Sequence, residues 1–212
     1  MSRFTDPAEG SISSLASQVT ARQGNVLGIL GVAFGIMASL LAVGFEPDVL
    51  AQFALLTVAG GSAGIMIGRR VTAMELPQTV AALHSVVGLA AVFTCIGSAL
   101  AELEHATTLH SVLSYLGVIV GGITFTGSLI AFAKLSGKMS SKPLRLMGGQ
   151  LTNAGLLSAN LATLGAFVAA APTTPMVAAG FLGASTILSF IKGFTLTSTV
   201  GGADMRTYRL DT

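Results

Sequence analysis

Apolar and polar positions along the chain alternate on a long scale: six hydrophobic runs are separated by short polar breaks. The runs are Asn25–Phe45, Leu50–Gly68, Gln78–Leu100, Ser111–Ala133, Asn153–Ala171 and Met176–Val200. Each reaches about 18 residues or more, the length at which an apolar stretch predicts a transmembrane helix. Glu46-Pro47-Asp48, Pro77, Glu102–His105, Pro143 and Pro172–Pro175 punctuate the sequence between them. Helices are the expected spanning form, because a helix satisfies its own backbone where no water is present. The pattern predicts an all-α fold, a polytopic membrane helix bundle of six transmembrane helices over residues 24–200. A polar arm (1–23) precedes the bundle and a short tail (201–212) follows it.

Within the runs, small residues recur at helical spacing: Gly24, Gly28, Gly31 and Gly35 in the first, Gly60, Gly64 and Gly68 in the second, and Ser114, Gly117, Gly121, Thr124 and Ser128 in the fourth. Such stripes let helix backbones approach closely in lipid, so plain bundle packing is their expected role. In the third run Ala81, His84, Ser85, Gly88, Ala91 and Cys95 share one face and Leu83, Val86, Val87, Phe93 and Ile96 the other. The small, polar side is expected to meet protein and the bulky side lipid.

Composition agrees with a membrane protein. Charged residues make up 9% of the 212 residues, against 52% hydrophobic, and mean hydropathy is +0.79; soluble domains carry about a quarter charged residues. A net charge of +2, dispersed along the chain, gives no footing for nucleic acid. Lysine and arginine set the expected orientation. Arg22, Arg69-Arg70, the group Lys134, Lys138, Lys142 and Arg145, and Arg206 and Arg209 fall on one side if six helices alternate, whereas Glu46, Asp48, Glu102 and Glu104 fall on the other. Both termini are thus expected on the cytoplasmic or matrix side. Lys192, inside the last run, is expected to snorkel to the inner interface. Cys95 reads as a packing residue, and a single cysteine excludes an intramolecular disulfide.

Candidate chemistry is sparse. His84 is an ionisable group inside an apolar run, and such groups mark ion or proton paths by default because holding them in hydrocarbon is costly. Its ordinary pKa near 6.5 suits reversible protonation. Counted from the basic side, His84, Ser128 and Asn160 are expected at similar depth, roughly 8–10 Å in. Two readings stand for that trio: a set that holds water or passes a proton, or separate backbone caps and interhelical ties. His105 and His110 are expected in a solvated outer loop. Gly148-Gly149 lacks the third glycine and preceding strand of a dinucleotide site. No metal-ligand spacing or nucleophile-plus-base arrangement occurs, so no complete active site is expected on this chain, and no cofactor on it either.

Longer blocks carry a resemblance. Glu75-Leu76-Pro77 through Val92, with His84, Ser85 and Gly88, resembles the signature helix of the membrane domain of proton-translocating NAD(P) transhydrogenase. Gly121 to Leu135, with Thr124, Gly127, Ser128 and Lys134, resembles the family's next helix. Ser140–Leu144, Asn153–Leu157 and Gly201-Gly202-Ala203-Asp204-Met205 follow in the family's order, and the similarity runs from about Thr20 to Met205. It implies a proton-translocating membrane component that couples hydride transfer between NAD(H) and NADP(H), bound on partner domains or subunits, to proton movement. His84 would carry the proton, Ser128 would neighbour its path, and Asp204 would belong to the inner loop that communicates with the NADP(H)-binding domain. A dimeric complex in the mitochondrial inner membrane or the bacterial plasma membrane is implied; Thr94-Cys95-Ile96 resembles mitochondrial versions.

The sequence departs from the family after Met205, where Arg206–Thr212 replaces a further helix with a polar asparagine, another helix and the NADP(H)-binding domain. Three expectations stay open. Partner chains supply the missing helices and domains, the chain is one piece of a longer one, or it is a non-catalytic structural membrane subunit derived from transhydrogenase.

Overall fold

Proline starts three of the helices. Pro47 opens its helix, Pro77 is the second residue of another, and Pro175 opens the last. At these positions the missing N–H costs nothing and the fixed φ suits the first turn. The computed structural model describes residues 21–43, 46–102, 107–144, 149–171 and 173–201. Their helices are α1 (Ala21–Val43), α2 (Pro47–Gly68), α3 (Leu76–Ala101), α4 (Thr108–Leu135), α5 (Gly149–Ala170) and α6 (Pro175–Ser198). All six are long and apolar enough to cross a membrane, and no strand occurs among the described residues. The expected spans are present, most of them shifted or extended by a few residues into polar flanks that hydropathy alone left out. The cap of α4 shows how: the Thr107 hydroxyl accepts from the His110 N–H at 3.2 Å, so the helix starts before the apolar run does. The polar arm to residue 20 and the tail from Gly202, with Asp204, Arg206 and Arg209, lie outside the described residues, as do His105, Arg145 and Gly148.

The chain divides at Arg70–Val71 into two compact units. In the first, α2 has no buried residue, and an ideal Cβ added at Gly31, Gly35, Gly60, Gly64 or Gly68 meets nothing within 4 Å. These five glycines are therefore not used for close packing inside their own unit.

The second unit is a packed bundle centred on α4. Helix α3 runs antiparallel to it, since Cys95 meets Gly117, and Gly88 meets Gly121 and Phe125. A Cβ at Gly88 would sit 2.6 Å from the Phe125 nitrogen and 2.9 Å from the Gly121 carbonyl oxygen. Backbone lies against backbone here, so nothing larger than glycine fits. On its other side α4 packs against α6, running parallel to it: the Tyr115 hydroxyl donates to the Phe181 carbonyl at 3.1 Å, and Thr126 Oγ1 donates to the Phe190 carbonyl at 2.8 Å. A Cβ at Gly122 would overlap Ser189. Helix α5 packs antiparallel on α6, with Asn160 beside Ser185 and Asn153 beside Thr195. Tyr115, Phe167, Leu182, Val92 and Val118 form the fully buried apolar centre, and the Tyr115 and Phe167 rings lie 4.9 Å apart.

Lys134 closes the basic end of this unit. Its side chain is 3% exposed, and Nζ donates to the carbonyls of Thr197 at 3.3 Å, Ser198 at 2.9 Å and Val200. A cation placed there satisfies the orphan carbonyls of α6 and opposes the negative end of its dipole. At the same end of α3, the Glu75 carboxylate accepts from the Thr72 N–H at 3.1 Å and the Thr72 hydroxyl at 2.9 Å. Those bonds, the backbone one first, hold its pKa below the ordinary carboxylate value.

Candidate functional site

Helix α3 mounts His84 at the edge of its packed face. Ser85, Gly88, Val92 and Ala99 are buried in the unit, while His84 itself is exposed, as are Leu83, Val86, Val87 and Phe93. The expected division into a small inner face and a bulky outer face holds with two corrections: Ile96, expected outside, packs against the buried core, and His84 flanks the inner face rather than lying in it. The cause is angular. Positions 85, 88, 92 and 99 keep the 3–4 spacing of a single stripe, and 84 lies about 40° beyond Gly88 and about 100° from Ser85, at the rim of that stripe.

The α3–α4 register decides what stands near His84. Cys95 beside Gly117, and Gly88 beside Gly121 and Phe125, fix an antiparallel register that carries Ser128 to the level of His84 on the adjacent helix. Ser128 is half-buried and continues the α4 stripe Gly117, Gly121, Phe125 that runs along α3. Two of the three expected residues thus share a level on neighbouring helices, without a hydrogen bond between them.

Asn160 is elsewhere. It is fully buried; its Nδ2 donates to the Leu156 carbonyl at 3.0 Å, and its Oδ1 accepts from Ser185 Oγ at 2.9 Å. The α4–α6 register, with Tyr115 on Phe181 and Gly122 beside Ser189, puts Ser185 beside the turn of Val118. That is ten residues, roughly 15 Å of helix, from Ser128. Part of the difference arises because the expected depth was counted from Asn153, whereas α5 begins four residues earlier at Gly149. Of the two readings left open for Asn160, the interhelical tie is the one its contacts describe.

Two lysines and a histidine carry more structure than their sequence positions suggested. Lys192 is buried, at 9% exposure, between α5 and α6: its Nζ donates to the Asn153 carbonyl at 3.4 Å, and Thr195 Oγ1 donates to Asn153 Oδ1 at 2.8 Å. It reaches toward the basic end inside the bundle instead of along its surface. Lys134 had been counted only as a topogenic charge. Its place in the last turn of α4 was the available signal for a buried cap. His110, expected in a solvated loop, lies in the first turn of α4 and is hydrogen-bonded, as detailed below. No group of three or more potential metal ligands occurs among the described residues.

Residues 10–207 match the sequence profile of the NAD(P) transhydrogenase beta subunit. The chain belongs to that family. Among its relatives are the NAD(P) transhydrogenase subunit beta of Rhodospirillum rubrum and the same subunit from a named strain of that organism. Each is 36% identical over 201 residues, which cover 92% of this chain and 42% of the relative. The chain therefore spans about two fifths of the length of these beta subunits. Family membership agrees with the resemblance carried by the His84 and Ser128 blocks, and with a multi-pass membrane protein.

Proposed function

We propose that this chain is the proton-translocating membrane part of a transhydrogenase, with His84 as the group that takes up and releases the proton. Hydride passes between NAD(H) and NADP(H) on partner domains or subunits, and the proton crosses here. Ser128, at the level of His84, supplies a hydroxyl on the route. Asp204, outside the described residues, belongs to the loop that signals the NADP(H) side. The basic end, with Lys134, Lys138 and Lys142, faces the cytoplasm or matrix by the positive-inside rule. The complex is dimeric, and its membrane is the mitochondrial inner or the bacterial plasma membrane.

The observation that carries this reading is an ionisable side chain within a span of a transhydrogenase-family chain, mounted on the helix that packs most intimately against α4. Its exposed position suits a group covered by further helices of the complex, because an imidazole left in lipid is costly. Coupling requires that the nucleotide state favour one protonation state or access of His84 over the other. A proton driven through 100 mV carries about 2.3 kcal/mol, enough to shift an equilibrium between cofactors about fiftyfold. The test uses the complete complex in sealed vesicles. His84→Ala is expected to leave hydride exchange between bound cofactors and to abolish its response to a proton gradient. A variant that responds as the unmodified protein does would refute the assignment.

A further inference from the structure

The end of the second unit opposite Lys134 carries a titratable group that the proton reading does not use. His110 stands in the first turn of α4. Its Nε2 lies 3.3 Å from Ser98 Oγ and 3.6 Å from Glu102 Oε2, both on α3 side, and 3.4 Å from Ser114 Oγ one turn further along α4. The ring is 30% exposed, within reach of water, while Ser111 and Ser114 beside it are buried. Among the described residues Glu102 is the charged group that faces it. Helices α5 and α6 bring no titratable side chain to this end, since the one lysine of α6, Lys192, sits near the other.

We propose that His110 binds a proton from the aqueous phase on this side and thereby clamps the end of α3 onto α4. In the tautomer with hydrogen on Nδ1, Nε2 accepts from the hydroxyl of Ser98 or Ser114. A proton taken from water at Nε2 reverses the contact: the imidazolium donates its one Nε2–H to a hydroxyl and faces the Glu102 carboxylate. Charge-assisted bonds are roughly twice as strong as neutral ones. Two of the three partners belong to the α3 side, so the proton favours the seated α3. The Ser98 and His84 positions are 14 residues apart on α3, roughly 21 Å. No direct proton hop joins them; the link is the helix itself, which carries both. The consequence for transport rests on the proposed function above, whereas the clamp does not.

The clamp is read directly by spin labels on Leu100→Cys and Leu109→Cys, two exposed positions flanking it, in the assembled complex with Cys95→Ala as background. Between about pH 8 and about pH 6, across the ordinary histidine range, the label distance distribution is expected to narrow. His110→Gln, which keeps a hydrogen bond to Ser98 but carries no proton, is expected to stay broad; His110→Lys, with its fixed charge, is expected to stay narrow. A pH-dependent narrowing that persists in His110→Gln overturns the inference. Should neither variant assemble, Glu102→Gln leaves the imidazole in place, and an undiminished narrowing in it overturns the inference equally. In vesicles with the opposite side clamped, gradient-driven NADPH formation is expected to change about fivefold or more over the same range, the low end of a coupling free energy, and to be flat in His110→Gln. An intact clamp with a gradient response that survives His84→Ala refutes the proposed function alone; an unclamped α3 with that response lost in His84→Ala refutes the present inference alone.

Discussion

The surroundings of His84 on α3 and of Asn160 on α5 are built on opposite plans. Both residues are polar, both lie within apolar spans, and neither has an ionic partner among the described residues. Yet Asn160 has its amide hydrogen and its carbonyl oxygen both engaged, by Leu156 and Ser185, with no exposed surface, while His84 is exposed and bonded to no described residue. A buried group whose side-chain nitrogen and oxygen are both hydrogen-bonded to neighbouring protein is a structural tie, and disturbing it costs stability. An ionisable group left open on a tightly seated helix has the opposite character. Polarity within a span nominates both residues, and the state of their hydrogen bonds is what separates them.

That contrast can be broken or sharpened by substitution. The largest effect is expected at the mount of α3. Gly88→Ala forces a Cβ to 2.6 Å from the backbone of Phe125, and overpacking against backbone that cannot yield costs about 3 kcal/mol. Thermal unfolding of the complex is expected to shift accordingly, and gradient response per assembled complex is expected to fall with it, because His84 rides on the displaced helix. Gly64→Ala, which meets nothing within its own unit, is the control and leaves the unfolding of the second unit unchanged.

Lys134→Met comes next. It strips the cap from α6, for which a helix-terminal cation in a partly buried setting is worth up to about 2 kcal/mol. Asn160→Leu breaks the tie to Ser185 and leaves that hydroxyl unpaired, at a cost of about 1 kcal/mol or somewhat more. Both are expected to lower the unfolding temperature and spare coupling; a loss of coupling without a loss of stability in Asn160→Leu would erase the distinction drawn here.

The smallest effect concerns Glu75, which fastens the turn before α3. Its folded-state pKa is lowered, so the Thr72 contacts stabilise the turn above the ordinary carboxylate range, and that contribution is lost as pH falls through the depressed value. Glu75→Gln is expected to flatten this acid dependence, followed by amide hydrogen exchange at the start of α3. The group is fully exposed, so the effect stays local.

Much of this was legible in the sequence, and the limits have physical causes. Hydropathy found all six helices because lipid demands the same run length of each, and it misplaced the ends because caps such as Thr107 and starts such as Pro47, Pro77 and Pro175 extend helices into polar sequence. The small face of α3 was readable from Ser85 and Gly88; His84, about 40° beyond Gly88, lies at its rim, a distinction that period counting does not resolve. Register was readable only in part. Depth counting put Ser128 level with His84, as the antiparallel α3–α4 pairing does, but the α5–α6 pairing that takes Asn160 away left no trace in the sequence. Nor could a pattern of hydrophobicity distinguish Lys134, which folds back onto the carbonyls of α6, from Lys138 and Lys142 a turn or two later.

The most direct measurement sets the two polar residues side by side. Sealed vesicles carrying the complete complex are assayed for NADPH formation with and without an imposed proton gradient, normalised to the amount of assembled complex. Asn160→Leu is expected to keep the stimulation shown by the unmodified protein, and His84→Ala to show none. Stimulation that survives in His84→Ala, or vanishes in Asn160→Leu alone, would contradict the account.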